Sequence, residues 1–420
     1  MTKSIPGTTI RSAQSTTHRS QDVHLAYAGK QGTRAILHMT PAGKLLKRST
    51  TGRRSDAREP NMLITGDNLL AMRALCTDPS VKGHVKLVYI DPPFSTNQDF
   101  RAGSRRIATV SPSGSDTLAY MDRLTGAEYL EFLRRRLILL HALLADDGSI
   151  YVHIDSKVGH YVKVLLDEVF GQENFRNDIT RIKCNPKNFS RTGYGNVKDM
   201  VLFFTKSGIC VWNEPRQDMT GEDAKRLFPR IDDRGRRYTT TPLHAPGETK
   251  RGATGEPWNG LTPPPGRHWR VSPHELTHLD EQQLIEWSSS GNPRKKIFAD
   301  DILARGKKVQ DVWELKDPPY PSYPTEKNLT LLERIIRASS NPGDVVLDCF
   351  AGSGTTLVAA ERLGRRWIGI DRSAVATQVA VRRLKALENC TLFVHYSCVA
   401  GSREKPASTG IARRRTRTNR

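Results

Sequence analysis

Short apolar runs that end in a carboxylate are the feature of this sequence that most restricts its fold. Residues 85–90 form a near-continuous apolar run that Asp91 follows. Residues 345–347 form a second run that Asp348 follows. Such runs indicate strands covered on both faces. Because segments with helical periodicity alternate with them, the sequence predicts an α/β fold with one doubly wound, largely parallel sheet.

The α/β pattern occupies two blocks of the chain, and a segment with weak periodicity separates them. Residues 206–317 contain five of the six tryptophans and a run of three prolines, which indicates an inserted, irregular domain. The predicted boundaries are 1–58 for a basic, disordered tail, 59–205 and 318–398 for the two halves of the α/β domain, 206–317 for the insert, and 399–420 for a second basic, disordered tail.

The positive charge of the chain is concentrated at its two ends. The whole sequence has 65 Lys and Arg against 44 Asp and Glu, a net charge of +21. Residues 1–60 hold 11 basic and 3 acidic residues, and residues 401–420 hold 7 and 1. This excess indicates a polyanionic partner, most often nucleic acid. The tails either bind phosphates without sequence preference or are solvated segments without function.

Membrane insertion and disulfide bonding are not indicated. The longest apolar stretch, residues 137–145, is interrupted by His141 and is far shorter than the ~20 residues of a spanning helix. The first 20 residues lack the apolar core of a secretory signal. The six cysteines form no C-x-x-C pair, so we expect no metal site, and we expect a reducing, cytoplasmic location.

A glycine-rich turn follows the second of the two strands. Residues 348–356 read D-C-F-A-G-S-G-T-T. Glycines at 352 and 354 let the backbone approach a ligand closely, and the N-terminus of the helix behind them favours polar or anionic groups. A further strand ends at Asp371, where a carboxylate can accept both hydroxyls of a ribose. A dinucleotide site would need a third glycine where Leu357 stands, which argues against a nicotinamide cofactor.

The string Asp91-Pro92-Pro93-Phe94 follows the first strand and suits chemistry on an exocyclic amine. The lone pair of such a nitrogen is delocalised into the ring, so the nitrogen is a poor nucleophile. A carboxylate and a backbone carbonyl that accept its hydrogens favour a pyramidal, more reactive nitrogen. The two prolines keep the turn rigid, since they fix φ and donate no hydrogen bond. Phe94 can stack on a base taken out of a duplex.

A second string of this kind lies at Asp317-Pro318-Pro319-Tyr320. Its context differs, because residues 314–316 do not form an apolar strand. More prolines follow it and lead into a helix that we expect Thr325 to cap. We interpret the second string as the linker that leaves the insert, and we assign the catalytic carboxylate to Asp91.

Together these strings resemble the β class of amino-methyltransferases, the adenine-N6 and cytosine-N4 DNA methylases of restriction–modification systems. The resemblance covers residues 61–395, and the Asp-Pro-Pro-Phe string precedes the glycine motif as it does in the β class. The resemblance implies that residues 59–205 are the catalytic half, 206–317 the target-recognition domain and 318–398 the cofactor-binding half. Gly66-Asp67-Asn68 resembles motif III of the family, and the strand that ends at Asp371 resembles motif II. Pro324-Thr325-Glu326-Lys327-Asn328 resembles motif X.

Three positions depart from the family pattern. Phe94 replaces the commoner Tyr, Asn328 replaces Pro, and Cys349 stands where the family often has Pro. None of these changes removes a carboxylate or a glycine, so we expect an active enzyme. Asp at the first catalytic position is typical of the adenine methylases, whereas the cytosine-N4 enzymes more often have Ser.

The resemblance implies a methyltransferase that uses S-adenosyl-L-methionine to methylate the amine of a flipped-out adenine in double-stranded DNA. The alternatives are a cytosine-N4 DNA methyltransferase, an RNA or small-molecule methyltransferase of the same fold, and a non-catalytic nucleic-acid-binding module. A restriction endonuclease subunit and a second copy of the chain are the implied protein partners.

The resemblance also implies which residues form the site. The implied catalytic residues are Asp91, Pro92, Pro93 and Phe94. The implied cofactor-binding residues are Asp348, Phe350, Gly352, Gly354, Thr355, Asp371, Thr325 and Lys327.

Removal of residues 401–420 tests whether the second tail binds phosphates. We expect weaker binding to duplex DNA at low salt and a flatter salt dependence of the association constant, because fewer counterions are released. Sequence preference should not change, since phosphate contacts carry no sequence information. Titrations of both chains with labelled duplex at several salt concentrations measure this, and an unaltered salt slope would show that the tail is not involved.

Overall fold

The computed structural model describes residues 23–53, 59–93, 98–102, 117–122, 126–185, 192–317 and 327–401. They belong to two compact units. The α/β unit is formed by the chain up to Asn213 and from Asp311 onward, and the inserted unit is formed by Glu214–Gln310. Phe94 and Thr325 of the predicted site lie outside the described residues, as does nearly all of the second basic tail.

The helices alternate with strands along most of the α/β unit. Within the described ranges, every helix is too short or too polar to span a lipid bilayer. The α-helices are α1 Thr33–Met39, α2 Asn68–Leu75, α3 Gly126–Leu143, α4 Ser156–Phe170, α5 Gly221–Leu227, α6 Pro273–Glu281, α7 Ala299–Arg305, α8 Leu329–Ser339, α9 Thr355–Arg362 and α10 Ala374–Lys385.

Most strands of the α/β unit are longer than most of those in the inserted unit. The strands are β1 Gly43–Thr51, β2 Asn61–Thr65, β3 Val85–Ile90, β4 Gln98–Ala102, β5 Thr117–Asp122, β6 Leu144–Ile154, β7 Phe175–Ile182, β8 Lys198–Thr205, β9 Arg216–Gln217, β10 Arg230–Ile231, β11 Arg237–Pro242, β12 His244–Pro246, β13 Arg267–Trp269, β14 Ile285–Trp287, β15 Pro293–Phe298, β16 Lys307–Lys308, β17 Val312–Glu314, β18 Val345–Asp348, β19 Arg366–Asp371 and β20 Phe393–Ala400.

A ten-stranded sheet with the order β1-β20-β2-β19-β18-β3-β6-β8-β7-β17 forms the centre of the α/β unit. The pairs from β20 to β6 are parallel, whereas β1 and β8 run antiparallel to their neighbours. This sheet confirms the predicted α/β fold. The chain leaves β18 toward β19 on one side and leaves β3 toward β6 on the other. Such a switch point places a ligand crevice outside the carboxyl ends of β18 and β3.

Strand β3 shows how the core supports that edge of the sheet. Leu87, Val88 and Ile90 are fully buried, although successive side chains point to opposite faces. Both faces of the strand are therefore covered, as the apolar run predicted. Burial of each such side chain contributes roughly 1.5–3 kcal/mol. Asp91 consequently follows a strand that packing holds firmly in place.

Residues 23–53 are folded, so the prediction of a disordered tail over residues 1–58 is wrong for them. Strand β1 pairs with β20 at one edge of the sheet, and Ile36 of α1 is fully buried. Lys30 binds Glu168 of α4, with the ammonium 2.9 Å from the carboxylate. One basic side chain of this segment is thus paired with an acidic side chain that lies far away in the sequence, and local composition does not show such a pair.

Helix α8 begins at Leu329 rather than at the cap we predicted at Thr325. Asn328 caps the helix, because its Oδ1 accepts a hydrogen bond from the backbone N–H of Thr330 at 2.8 Å. Its Nδ2 donates to the carbonyl of Lys316 at 2.7 Å. The departure from the family's Pro at this position therefore provides a helix cap and a tie to the segment that leaves the insert.

The inserted unit contains a four-stranded antiparallel sheet with the order β10-β11-β15-β14. Trp258 and Trp269 are almost fully buried in its small core. Trp212 and Trp313, which the predicted boundary of 206–317 assigned to the insert, belong to the α/β unit.

Candidate active site

Two carboxylates lie at the carboxyl edge of the adjacent strands β18 and β3. The parallel register sets Leu347 beside Val88, so Asp348 ends one strand and Asp91 follows the other. Asp348 is 2% exposed. Burial raises the pKa of Asp348 to about 7, and the nearby negative charges of Asp91 and Asp371 add to the effect. Several poorly solvated carboxylates therefore lie close together at the switch point of the sheet.

Asp348 uses both of its oxygens within the glycine loop, which we define as residues 349–354, and the helix that follows. Its Oδ1 accepts the backbone N–H of Phe350 at 2.9 Å. Its Oδ2 accepts the hydroxyl of Thr356 at 2.6 Å. Asp348 therefore fixes the path of the chain from β18 into α9, a role that the sequence analysis did not separate from cofactor contact.

Asp371 lies at the end of β19 and binds the other side of the glycine loop. Its Oδ2 accepts the backbone N–H of Gly352 at 2.8 Å, and its Oδ1 accepts that of Ser373 at 2.8 Å. Burial raises the pKa of Asp371. An ionised carboxylate offers about four acceptor positions, so Asp371 retains capacity for further hydroxyl donors.

The two glycines of the loop have different roles. Their φ angles are +51° for Gly352 and +79° for Gly354, a region that favours glycine. A Cβ on Gly354 would lie 2.7 Å from the Cβ of Ala380 in α10, so this glycine allows two helices to pack. A Cβ on Gly352 would meet nothing closer than the carbonyl oxygen of Phe350 at 3.9 Å. Only Gly352 therefore leaves open space beside the loop, whereas the sequence analysis gave both glycines the same reason.

A buried polar chain supports the glycine loop from α2 and α3. Asn68 donates to the carbonyl of Cys349 at 2.8 Å and accepts from Nε of Arg136 at 2.7 Å. The guanidinium of Arg136 lies 3.5 Å from the ring centroid of Phe132, and that ring contacts Phe350. Sequence reasoning missed Arg136, since only the motif III resemblance at residues 66–68 pointed to this region.

Thr355 begins helix α9 directly behind the glycine loop. Its hydroxyl accepts a hydrogen bond from Arg383 of α10 at 3.0 Å. The same guanidinium nitrogen donates to the hydroxyl of Ser353 at 2.9 Å. Arg383 thus links α10 to the end of the loop and fixes the orientation of the Thr355 side chain.

Lys327 lies beside Asp91. Its Nζ is 3.0 Å from Oδ2 of Asp91, and the two side chains are only 11% and 17% exposed. The other oxygen, Oδ1, is buried and has no hydrogen-bond partner among the described residues. The structure thus brings Lys327, which the resemblance assigns to the cofactor, to the Asp-Pro-Pro string. Pro92 and Pro93 follow at once, outside any helix or strand.

A buried hydrogen-bonded chain begins at Tyr89, on the strand that carries Asp91. The Tyr89 hydroxyl lies 2.8 Å from Nδ1 of His153, and Nε2 of His153 lies 3.1 Å from Asp199. Lys183 donates to the second oxygen of Asp199 at 2.6 Å. Burial lowers the pKa of His153 and so favours its neutral ring. His153 is fully buried, so these contacts place it in the core of the sheet.

Asp317 of the second Asp-Pro-Pro string is engaged elsewhere. Its carboxylate lies 2.5 Å from Nη2 of Arg181, whose side chain is fully buried. Nε of Arg181 also donates to the carbonyl of Leu315 at 2.7 Å. These bonds fasten the segment that leaves the insert onto β7, beside the parallel pair of β17 and β7. This arrangement favours the linker interpretation of Asp317.

The order of these strings, the sheet and the carboxylate edge are those expected of an amino-methyltransferase. Residues 85–382 match the model of a DNA methylase family, N6_N4_Mtase. The chain belongs to this DNA methylase family, and it is a DNA methyltransferase of the N6/N4 type. The resemblance to the amino-methyltransferases of restriction–modification systems is thereby confirmed.

Individual proteins agree with the family assignment. The chain is 41% identical over 367 residues to the type II methyltransferase M.EcaI of Enterobacter cloacae. The aligned region covers 86% of this chain and 77% of that protein. The chain is 25% identical over 345 residues to the StyLTI Mod subunit of a type III restriction-modification enzyme of Salmonella typhimurium, over 72% of this chain and 50% of that subunit. The chain thus spans about half the length of that relative.

A solved structure, that of the M1.HpyAVI–SAM complex, also aligns with the chain. The TM-score is 0.40 at 19% sequence identity, over 77% of this chain and 99% of that chain.

The substitution Asp348→Asn tests the burial of this carboxylate. The pKa of Asp348 is about 7 in the fold against an ordinary 3.8, so the native state binds more protons than the unfolded state between these pH values. Ionisation of Asp348 therefore destabilises the fold progressively as the pH rises through this window. Asn stays neutral and can still accept from Phe350 and bond to Thr356. We expect the variant to gain stability relative to the wild type from about pH 4 to about pH 7 and then to level off.

Denaturant unfolding of both proteins across that pH range measures the difference. Asp146→Asn is the matched control, because the side chain of Asp146 is 97% exposed. The difference in stability between this variant and the wild type should not rise between about pH 4 and about pH 7. A pH-independent difference for Asp348→Asn would contradict the raised pKa.

Proposed function

We propose that the protein methylates the exocyclic amine of adenine in double-stranded DNA, with S-adenosyl-L-methionine as the methyl donor. The observation that carries the proposal is the position of Asp91 next to the glycine loop, at the carboxyl edge of two adjacent strands. Asp at the first position of the Asp-Pro-Pro string is typical of the adenine enzymes, and this favours adenine over cytosine.

The glycine loop fits the proposed cofactor. The open space beside Gly352 lets a ligand reach the backbone, and Asp371 keeps acceptor positions for the two hydroxyls of a ribose. Phe350, which Phe132 supports, provides an apolar surface at the same loop. When bound, the cofactor supplies an electrophilic methyl group on a positively charged sulfur. Thr325 lies outside the described residues, so its role stays a prediction.

Asp91 makes the target nitrogen reactive. Its carboxylate accepts a hydrogen of the amine and so favours the pyramidal form, in which the lone pair is available. The rigid Pro92-Pro93 turn keeps a backbone carbonyl of the turn free to accept the second hydrogen of the amine. Asp91 would also stabilise the positive charge that develops on the nitrogen as the nitrogen takes the methyl group from the sulfur of the cofactor. The nitrogen then releases one proton to solvent.

The target base must leave the duplex to reach this site. The amine of a paired base is inaccessible to a carboxylate at the bottom of a crevice, so flipping of the base is required. Phe94 is the proposed stacking partner and lies outside the described residues. We propose that the inserted unit, residues 214–310, recognises the target sequence.

The proposed cellular role is protection of DNA from a restriction endonuclease. The similarity to a Mod subunit of a type III restriction-modification enzyme supports this role. Partnership with an endonuclease subunit, a homodimer and a cytoplasmic location all stay predictions.

Replacement of Asp91 tests the catalytic assignment. Asp91→Asn and Asp91→Ala should lower the rate of methyl transfer by about 10²–10³ or more, because one preorganised interaction with the charged nitrogen is lost. Phe94→Ala should have an intermediate effect, since stacking of roughly 1–3 kcal/mol is lost, and Phe94→Tyr should be close to neutral. Transfer of labelled methyl groups to duplex DNA, scored separately for methyladenine and methylcytosine, measures each variant.

Asp317→Asn is the matched control for Asp91. This variant should lower thermal stability, because the buried Arg181 loses a charged partner, while the folded protein should retain its transfer rate. Loss of activity in the Asp317 variant together with retention in the Asp91 variants would move the catalytic site to the second string. Methylcytosine as the only product would refute the choice of adenine.

The two glycines allow a separate test of the cofactor position. Gly352→Ala places a Cβ in the proposed ligand space. We therefore expect S-adenosylmethionine to bind at least about tenfold more weakly in calorimetry, a loss of ~1.4 kcal/mol in binding free energy. Gly354→Ala forces its Cβ against Ala380 and should lower the melting temperature more than Gly352→Ala does. Undiminished cofactor affinity in Gly352→Ala would place the cofactor elsewhere.

A further inference from the structure

The two oxygens of Asp91 have different surroundings. Oδ2 is paired with the ammonium of Lys327 at 3.0 Å. Oδ1 is buried and has no hydrogen-bond partner among the described residues. A buried acceptor without a donor is costly, and such atoms in native proteins call for an explanation, of which a catalytic role is one. The arrangement leaves one oxygen held and one oxygen ready for an incoming N–H group.

The backbone of Lys327 is held by a firmly packed element. Lys327 directly precedes Asn328, which caps α8 and is tied to the carbonyl of Lys316. Leu331 and Leu332 in the first turn of α8 are fully buried. The ammonium of Lys327 therefore extends from a fixed point to Asp91.

A cation beside Asp91 also suits its surroundings. Asp348 and Asp371 are close enough for their charges to interact with one another, and Asp91 acts on Asp348 as well. Carboxylates in a poorly solvated cluster repel one another strongly. An ammonium at 3.0 Å from Asp91 offsets this repulsion and restricts rotation of the carboxylate.

We propose that Lys327 is a positioning residue for methyl transfer: it binds Oδ2 of Asp91, fixes the orientation of the carboxylate and leaves Oδ1 to accept the hydrogen of the target amine. This inference rests on the proposed function of Asp91. It differs from the cofactor role that the motif X resemblance implies for Lys327, and the two roles predict different kinetic effects.

The substitution Lys327→Met separates the two roles. Because the glycine loop is supported independently by Asn68 and Arg136, the affinity for S-adenosylmethionine should stay within about twofold of the wild type, which is less than 0.5 kcal/mol. The rate constant of single-turnover methyl transfer at saturating cofactor should fall at least about tenfold, since small misplacements of a catalytic group have effects up to about 10²-fold.

Two further variants serve as controls. Lys327→Arg should recover part of the rate, because a guanidinium also binds a carboxylate, though with different geometry. Lys163→Met removes a partly buried lysine that pairs with Asp167 on α4 at 2.8 Å, and it should leave both the rate and the cofactor affinity unchanged. A tenfold or greater loss of cofactor affinity in Lys327→Met, with an unchanged rate constant at saturation, overturns the proposal.

A readout without methyl transfer tests the ion pair itself. Melting temperatures of Asp91→Asn, Lys327→Met and the double variant form a cycle, and directly interacting residues give non-additive losses. We expect the double variant to lose less than the sum of the two single losses. Additive losses in the cycle would overturn the interaction between Lys327 and Asp91 and leave the proposed function untouched. A wild-type protein that transfers no methyl group to DNA would overturn the proposed function itself.

Discussion

The parallel pairing of β3 with β18 is the interaction on which the rest of the site depends. The two strands come from opposite ends of the α/β unit's sequence, and their register brings Asp91 and Asp348 to the same edge of the sheet. Buried side chains on both faces of β3 hold this edge in place. Because the chain turns to opposite sides after these two strands, the crevice between their loops can receive both a cofactor and a base.

Burial of the carboxylates at this edge is unfavourable for their negative charges, and the surrounding residues offset this cost. Asp348 and Asp371 accept backbone and hydroxyl hydrogens of the glycine loop and the adjacent turn. Lys327 binds Asp91. Each carboxylate thus has a different partner, and each partner fixes a different part of the site. The hydrogen bonds of Asp348 and Asp371 therefore both stabilise the buried carboxylates and fix the shape of the glycine loop.

Much of the fold and of the candidate site could be predicted from the sequence because these features are local. The apolar run of β3, its terminal Asp91 and the glycine turn after Asp348 are read within a few residues. Four features were not predicted: the folded segment 23–53, the cap at Asn328, the contact of Gly354 with Ala380, and the pair of Lys327 with Asp91. Three of them depend on a partner that is distant in the sequence, so no local pattern shows them. The cap at Asn328 is a local bond to Thr330, and the sequence analysis placed the cap at Thr325 instead.

Long-read sequencing of DNA from methylase-deficient cells that express the protein tests whether Asp91 directs methylation of adenine, because it identifies the modified base and its sequence context together. We expect N6-methyladenine within one defined sequence in cells with the wild type, and none in cells with Asp91→Asn at equal protein levels. Modification confined to cytosine, or adenine modification that persists in the Asp91→Asn cells, would contradict it.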